Sequence, residues 1–135
     1  MGVTQPNVQT VALLHHLYED PKIQHYVNHG VQFEQRGRAY DGIEGEESIQ
    51  ERRPDVVILD VRMPGLSGLD LQRRLTEMEL DLPLIFLSRD ADVPTAVQAI
   101  RAGAVDFLEK PAAPARLLRR IRQALESVEN APAEA

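Results

Sequence analysis

The chain contains no cysteine among its 135 residues. Disulfide bridges and thiolate metal sites are therefore excluded, and the absence agrees with a reducing compartment. The chain also lacks any apolar run long enough to cross a membrane, and its first residues, MGVTQP, carry neither the basic patch nor the apolar stretch of a secretory signal. We therefore expect a cytoplasmic protein that makes no membrane contact.

The chain has no excess of basic residues. It contains 15 lysines and arginines and 21 aspartates and glutamates, which gives a net charge of −6. This balance argues against direct nucleic-acid binding, which depends on a basic surface that replaces counterions. The length fits one domain that buries roughly 68–70% of the surface of its unfolded chain. We expect a flexible N-terminal tail over residues 1–9, a domain over 10–129, and a flexible tail or linker start over 130–135.

Short apolar runs alternate with segments of helical spacing along the whole chain. This alternation predicts an α/β fold, a doubly wound, five-stranded parallel sheet of order 2-1-3-4-5 with helices on both faces, as in flavodoxin. The predicted strands are Val11–Leu14, Val31–Glu34, Val56–Leu59, Leu84–Ser88 and Val105–Leu108; the predicted helices are Asp20–Gly30, Glu44–Arg52, Ser67–Met78, Pro94–Gly103 and Leu117–Val128.

Three polar side chains stand where predicted strands end. Asp60 follows the four-residue apolar run before it, Ser88 ends the fourth strand, and Lys110 follows the fifth. The carboxyl ends of parallel strands meet at one edge of the sheet, so the fold would bring these side chains into one crevice. A carboxylate that attacks, with a hydroxyl and an ammonium that hold the transferred oxygens, suits a phosphoryl group. A carboxylate that only caps the strand end is the alternative.

Two segments resemble the receiver domains of bacterial response regulators: LDVRMPGLSG at 59–68 and AGAVDFLEKP at 102–111. The resemblance implies that Asp60 is the phosphoacceptor, that Ser88 and Phe107 are the switch hydroxyl and switch aromatic, and that Lys110 is the active-site lysine. It also implies a sensor histidine kinase or phosphorelay protein as partner. An output domain or partner protein would receive the signal.

The chain departs from this family at the metal site. Receiver domains place an acidic pair after the first strand to hold Mg²⁺, and here His15 and His16 stand in that place. Glu19 and Asp20 are the nearest carboxylates, but using them would leave the first helix too short. Neutral imidazole is a poor ligand for Mg²⁺ and protonated imidazole repels it, so we expect Asp60 to bind Mg²⁺ weakly or not at all.

A second departure is Arg89, which follows Ser88 where the family usually has a small residue. Its guanidinium is predicted to occlude the phosphoryl position or to pair with Asp60. An alternative is a Zn²⁺ site formed by His15, His16 and Asp60, or by His25 and His29. It is less favoured, because histidines that bind no metal are far commoner than zinc ligands.

These features predict an atypical, or pseudo-receiver, domain that acts in phosphorelay signalling or protein interaction, with impaired Mg²⁺-dependent phosphorylation, and that is not an enzyme. An ordinary phosphoacceptor receiver is the first alternative. A haloacid-dehalogenase-like phosphatase is a remote one, because Arg62 stands where that class needs a second aspartate. We also expect a weak homodimer through the last strand and the helices on either side of it. Its polar contacts would be Gln98, Arg101, Asp106, Glu109, Arg116 and Arg120 around Phe107.

Overall fold

A computed structural model describes residues 9–14, 31–35, 41–89, 92–109 and 113–129. In this part of the chain five parallel strands form one sheet in the order β2-β1-β3-β4-β5. The predicted fold class and strand order are therefore confirmed. The strands are β1 (Gln9–Leu14), β2 (Val31–Gln35), β3 (Val56–Leu59), β4 (Leu84–Ser88) and β5 (Asp106–Glu109).

Four helices lie among the described residues: α1 (Gly42–Glu51), α2 (Gly68–Glu77), α3 (Val93–Arg101) and α4 (Pro114–Glu129). Side chains cap the first three, because Asp41, Ser67 and Asp92 each accept hydrogen bonds from backbone N–H groups of the first turn. Hydrogen bonds from Thr95 lower the pKa of Asp92, so its cap is formed at neutral pH and is lost only as acid protonates the carboxylate.

The core has two parts, one on each face of the sheet. On one face, strand residues such as Val11, Ile58 and Ile85 pack against the apolar stripe of α4. On the other face, Leu14, Leu59 and Phe86 belong to a cluster that includes residues of α1, α2 and α3. The central strands β3 and β4 are buried along their whole length, as expected for parallel strands covered by helices on both sides.

Element boundaries differ from the predicted ones by a few residues. The strand predicted at Val11 starts at Gln9, inside the predicted tail, because Gln9 pairs with Val31 of β2. The last strand is shifted by one residue to Asp106–Glu109. The helix predicted from Glu44 begins at Gly42, because Asp41 caps it.

Several predicted features lie outside the described residues. Among them are the helix Asp20–Gly30, the tail residues 1–8 and 130–135, and the histidines His25 and His29. Among the residues that the structure does describe, none of the helices is long and apolar enough to span a membrane.

Candidate functional site

Asp60 follows the buried strand β3 directly and is half-buried. Its Oδ1 accepts a hydrogen bond of 3.2 Å from the backbone N–H of Arg62, two residues later. This local bond turns the chain at the strand end and fixes one carboxylate oxygen. The Arg62 side chain itself is exposed.

The loop from Asp60 to Gly68 is closed by backbone contacts at its two ends. The N–H of Gly68 donates a 2.7 Å hydrogen bond to the carbonyl of Val61. A Cβ at position 68 would lie 2.1 Å from the carbonyl oxygen of Asp60, so a side chain does not fit there. Glycine at the first residue of α2 therefore lets the helix start against the backbone of Asp60.

The N-terminus of α1 packs against the middle of this loop. The N–H of Gly42 donates to the carbonyl of Pro64 at 3.0 Å, and the same carbonyl accepts from Leu66 at 2.9 Å. Gly65, between them, has φ +79°, the left-handed region that favours glycine. A Cβ on Gly65 would lie 2.7 Å from the Asp41 carboxylate, and one on Gly42 would lie 2.2 Å from the Leu66 carbonyl. At Gly42 the two backbones therefore meet directly, whereas Gly65 leaves room for the Asp41 carboxylate.

Ser88 ends the neighbouring strand β4 and is 4% exposed. Leu59 and Phe86 are register partners, so Asp60 and Ser88 lie at the same edge of adjacent strands. The structure thus brings these two predicted site residues to one edge of the sheet. Arg89 follows Ser88 with an exposed side chain, and its predicted occluding role stays a prediction.

Phe107 of β5 is half-buried and stacks on Phe86 of β4, with ring centroids 5.7 Å apart and an angle of 22° between the rings. Phe86 is completely buried, and its Cε1 would lie 3.0 Å from a Cβ on Gly68. The two rings therefore extend from Gly68, beside Asp60, to the edge strand. Phe86 thus connects the predicted switch aromatic with the loop that follows the predicted phosphoacceptor.

His15, His16 and Lys110 lie outside the described residues. The strands that precede them, β1 and β5, end at the same edge as β3 and β4, since Leu14 pairs with Leu59 and Ser88 with Glu109. Within the described ranges no group of three or more histidine, aspartate or glutamate side chains could hold a metal ion. The weak Mg²⁺ binding expected from His15 and His16 stays a prediction.

Two polar residues of the predicted dimer face lie close together within one chain. Arg120 Nε of α4 lies 2.7 Å from Asp106 Oδ2 of β5 within the same chain. Val93, Val97 and Ile100 form an exposed apolar stripe on α3, and Val105 is exposed just before β5. The surface therefore combines apolar side chains with a neutralised ion pair.

The sequence model of the response regulator receiver domain matches residues 20–122, well over half of the chain. The chain belongs to the response regulator receiver family. Receiver domains are signalling domains of two-component systems, interact with sensor histidine kinases and generally bind Mg²⁺.

Relatives of known name are similar to this receiver domain over part of its length. The C4-dicarboxylate transport transcriptional regulatory protein DctD of Pseudomonas aeruginosa is 53% identical over 73 residues, which are 54% of this chain and 16% of DctD. The response regulator protein TmoT of Ectopseudomonas mendocina is 52% identical over 80 residues, 56% of this chain and 36% of TmoT. The matches thus span well under half of each relative's length.

Solved structures support the fold. The receiver domain of the Francisella response regulator 1452 superposes with a TM-score of 0.77, at 23% identity, over 90% of this chain and 99% of that domain. At this identity the likeness speaks for the fold alone.

Sequence reasoning missed the contacts that hold the loop after Asp60. Asp41-Gly42 before a short polar helix is the pattern of a helix cap and could have been found. The packing of α1 on Pro64 and Leu66 could not be found, because it depends on how two helices that start 26 residues apart in sequence pack together.

Proposed function

We propose that this receiver domain is an atypical one, in which Mg²⁺-dependent phosphorylation of Asp60 is impaired, and that it works as a signalling and interaction module without enzymatic activity of its own. The observation that carries the proposal is the pair His15-His16 in place of the family's acidic pair. Asp60 at the end of β3 would then be the main carboxylate offered to a cation, beside Ser88 on β4.

The residues present still support slow phosphoryl transfer. The Asp60 carboxylate would attack phosphorus as the leaving group departs, forming an acyl phosphate. Ser88 and Lys110 would bind the transferred oxygens, and Arg89 would compete with the phosphoryl group for the same space. Phe107, stacked on Phe86, would shift when Asp60 is phosphorylated and so alter the surface formed by α3, β5 and α4. We propose a domain over residues 10–129, extended by one residue to Gln9, which belongs to β1.

Calorimetric titration with Mg²⁺ separates this proposal from an ordinary phosphoacceptor. We expect no saturable heat of Mg²⁺ binding at millimolar concentrations, and no gain when beryllofluoride, which mimics the phosphoryl group, is added, because imidazoles replace two hard oxygen ligands. Stoichiometric Mg²⁺ binding that beryllofluoride tightens would instead favour the ordinary phosphoacceptor, phosphorylated on Asp60 by a histidine kinase.

The partners proposed for this chain follow from its family. A sensor histidine kinase or phosphorelay protein would face the Asp60 edge of the sheet in the cytoplasm. DctD is named a transcriptional regulatory protein and is much longer than this chain. The prediction of no direct nucleic-acid binding therefore applies only to the 135 residues of this chain. In a longer protein, an output domain would supply DNA binding.

We expect a weak homodimer through α3, β5 and α4, where the exposed stripe of Val93, Val97 and Ile100 would be buried. Sedimentation at high micromolar concentration should show a mass that rises with concentration. Val97→Lys should abolish the rise, because it places a charge within the apolar stripe, whereas Glu47→Lys on the exposed face of α1 should not. A strictly monomeric wild type would contradict this interface.

A further inference from the structure

Glu46 is a buried carboxylate in an otherwise polar helix. It is 6% exposed and lies on α1, one turn after the residues that contact the loop following Asp60. A buried carboxylate is costly unless a cation and hydrogen bonds compensate it. Arg74 of α2 does so with two contacts, Nε to Oε2 and Nη2 to Oε1, the second at 3.0 Å. The hydrogen bond to Glu46 raises the pKa of Arg74.

This ion pair joins the two helices that enclose the loop. At its N-terminus α1 holds the loop through the bond from Gly42 to Pro64, and α2 begins at Gly68, packed on the carbonyl of Asp60. Glu46 and Arg74 lie one to two helical turns beyond these contacts. The pair therefore sets the distance between α1 and α2 close to where both meet the loop.

We propose that Glu46 and Arg74 are positioning residues for phosphoryl transfer to Asp60, acting by clamping α1 and α2 against the loop 60–68. The inference rests on the proposed function of Asp60. Removing the guanidinium leaves the Glu46 carboxylate without its cation, so α1 must shift to hydrate it. That shift draws Gly42 away from Pro64 and releases the loop that orients the Asp60 carboxylate.

Arg74→Met tests the clamp, because methionine keeps much of the apolar stem and removes the charge. Arg73→Met is the matched control, since Arg73 is the adjacent residue on α2 and makes two exposed ion pairs, with Asp70 and Glu77. Hydrogen exchange should show at least about tenfold weaker protection of the Gly42 amide in Arg74→Met only. The control amide is that of Val105, which precedes β5 and donates to the carbonyl of Leu84 at the start of β4. It should exchange as in wild type in both variants.

The second measurement is the initial rate of Asp60 phosphorylation by a small-molecule phosphodonor, counted per folded molecule. It should fall at least about threefold in Arg74→Met and stay unchanged in Arg73→Met, since small misplacements of a reacting group are costly. Arg74→Lys, which keeps the charge but loses the second contact, should give an intermediate rate and serves if the methionine variant does not fold.

The absolute wild-type rate tests the proposed function, whereas the ratio between variants tests the clamp. If the wild type is too slow to measure, the same substitutions are compared in the background His15→Asp, His16→Asp, Arg89→Ala. Equal rates for Arg74→Met and Arg73→Met would overturn the positioning role, even with faster exchange at Gly42. Unchanged exchange at Gly42 would overturn the clamp itself.

Discussion

The variant that combines His15→Asp, His16→Asp and Arg89→Ala should gain at least about tenfold in Mg²⁺ affinity and in the rate of Asp60 phosphorylation, or ~1.4 kcal/mol each. Two carboxylates return to the cation, and the space beside Ser88 opens. At about 4 Å and an effective dielectric of roughly 20, two unit charges interact by about 4 kcal/mol and a divalent ion doubles this before desolvation. About a fifth of this attraction, left after desolvation, is enough to give the predicted change of ~1.4 kcal/mol.

Calorimetry with Mg²⁺ and mass spectrometry after incubation with a phosphodonor measure the two gains. The same variant with Asp60→Asn should stay unlabelled, which assigns the acyl phosphate to that carboxylate. The single variant Arg89→Ala shows how much of the gain comes from opening the phosphoryl position rather than from restoring the metal ligands. If the triple variant is no faster than the wild type, then positions 15, 16 and 89 do not limit the reaction.

Gly68→Ala should destabilise the fold by at least about 2 kcal/mol and displace Asp60. The new methyl would lie 2.1 Å from the Asp60 carbonyl oxygen, which is backbone and cannot rotate away. It would also lie 3.0 Å from Cε1 of Phe86, so the stack with Phe107 should shift. Urea unfolding gives the stability change, and amide chemical shifts of Arg62 and Phe107 report the displacement.

Gly103→Ala provides the control for this substitution. Gly103 also requires glycine, with φ +109°, but nothing lies within 4 Å of its Cβ position. Its substitution should cost stability through backbone strain while leaving the amide of Arg62 unchanged. If both variants perturb Arg62 alike, or if Gly68→Ala has wild-type stability, the close packing of α2 on Asp60 is wrong.

The strands and the strand order could be predicted because each carries a local signal. Val56–Leu59 and Leu84–Ser88 are short apolar runs, and a parallel sheet buries such runs on both faces. Asp60 and Ser88 follow from the same rule, since strand ends in such sheets share one edge. Boundaries were less accurate where a single side chain decides them, as Asp41 does for α1.

Tertiary contacts within the site could not be predicted from spacing. Glu46 looks like one of several exposed glutamates on a polar helix, and only the approach of α2 makes it buried and paired with Arg74. Asp106 and Arg120 were both expected among the polar contacts of the dimer face, yet Arg120 Nε lies 2.7 Å from Asp106 Oδ2 within one chain. The roles of His15, His16 and Lys110 stay predictions.

The most direct test of the atypical assignment is the mass of the unmodified protein after incubation with a small-molecule phosphodonor and millimolar Mg²⁺. We predict that Asp60 stays largely unmodified, and that adding a chelator changes the small labelled fraction little. Rapid labelling of Asp60 that depends on Mg²⁺ would contradict it and would make this chain an ordinary phosphoacceptor.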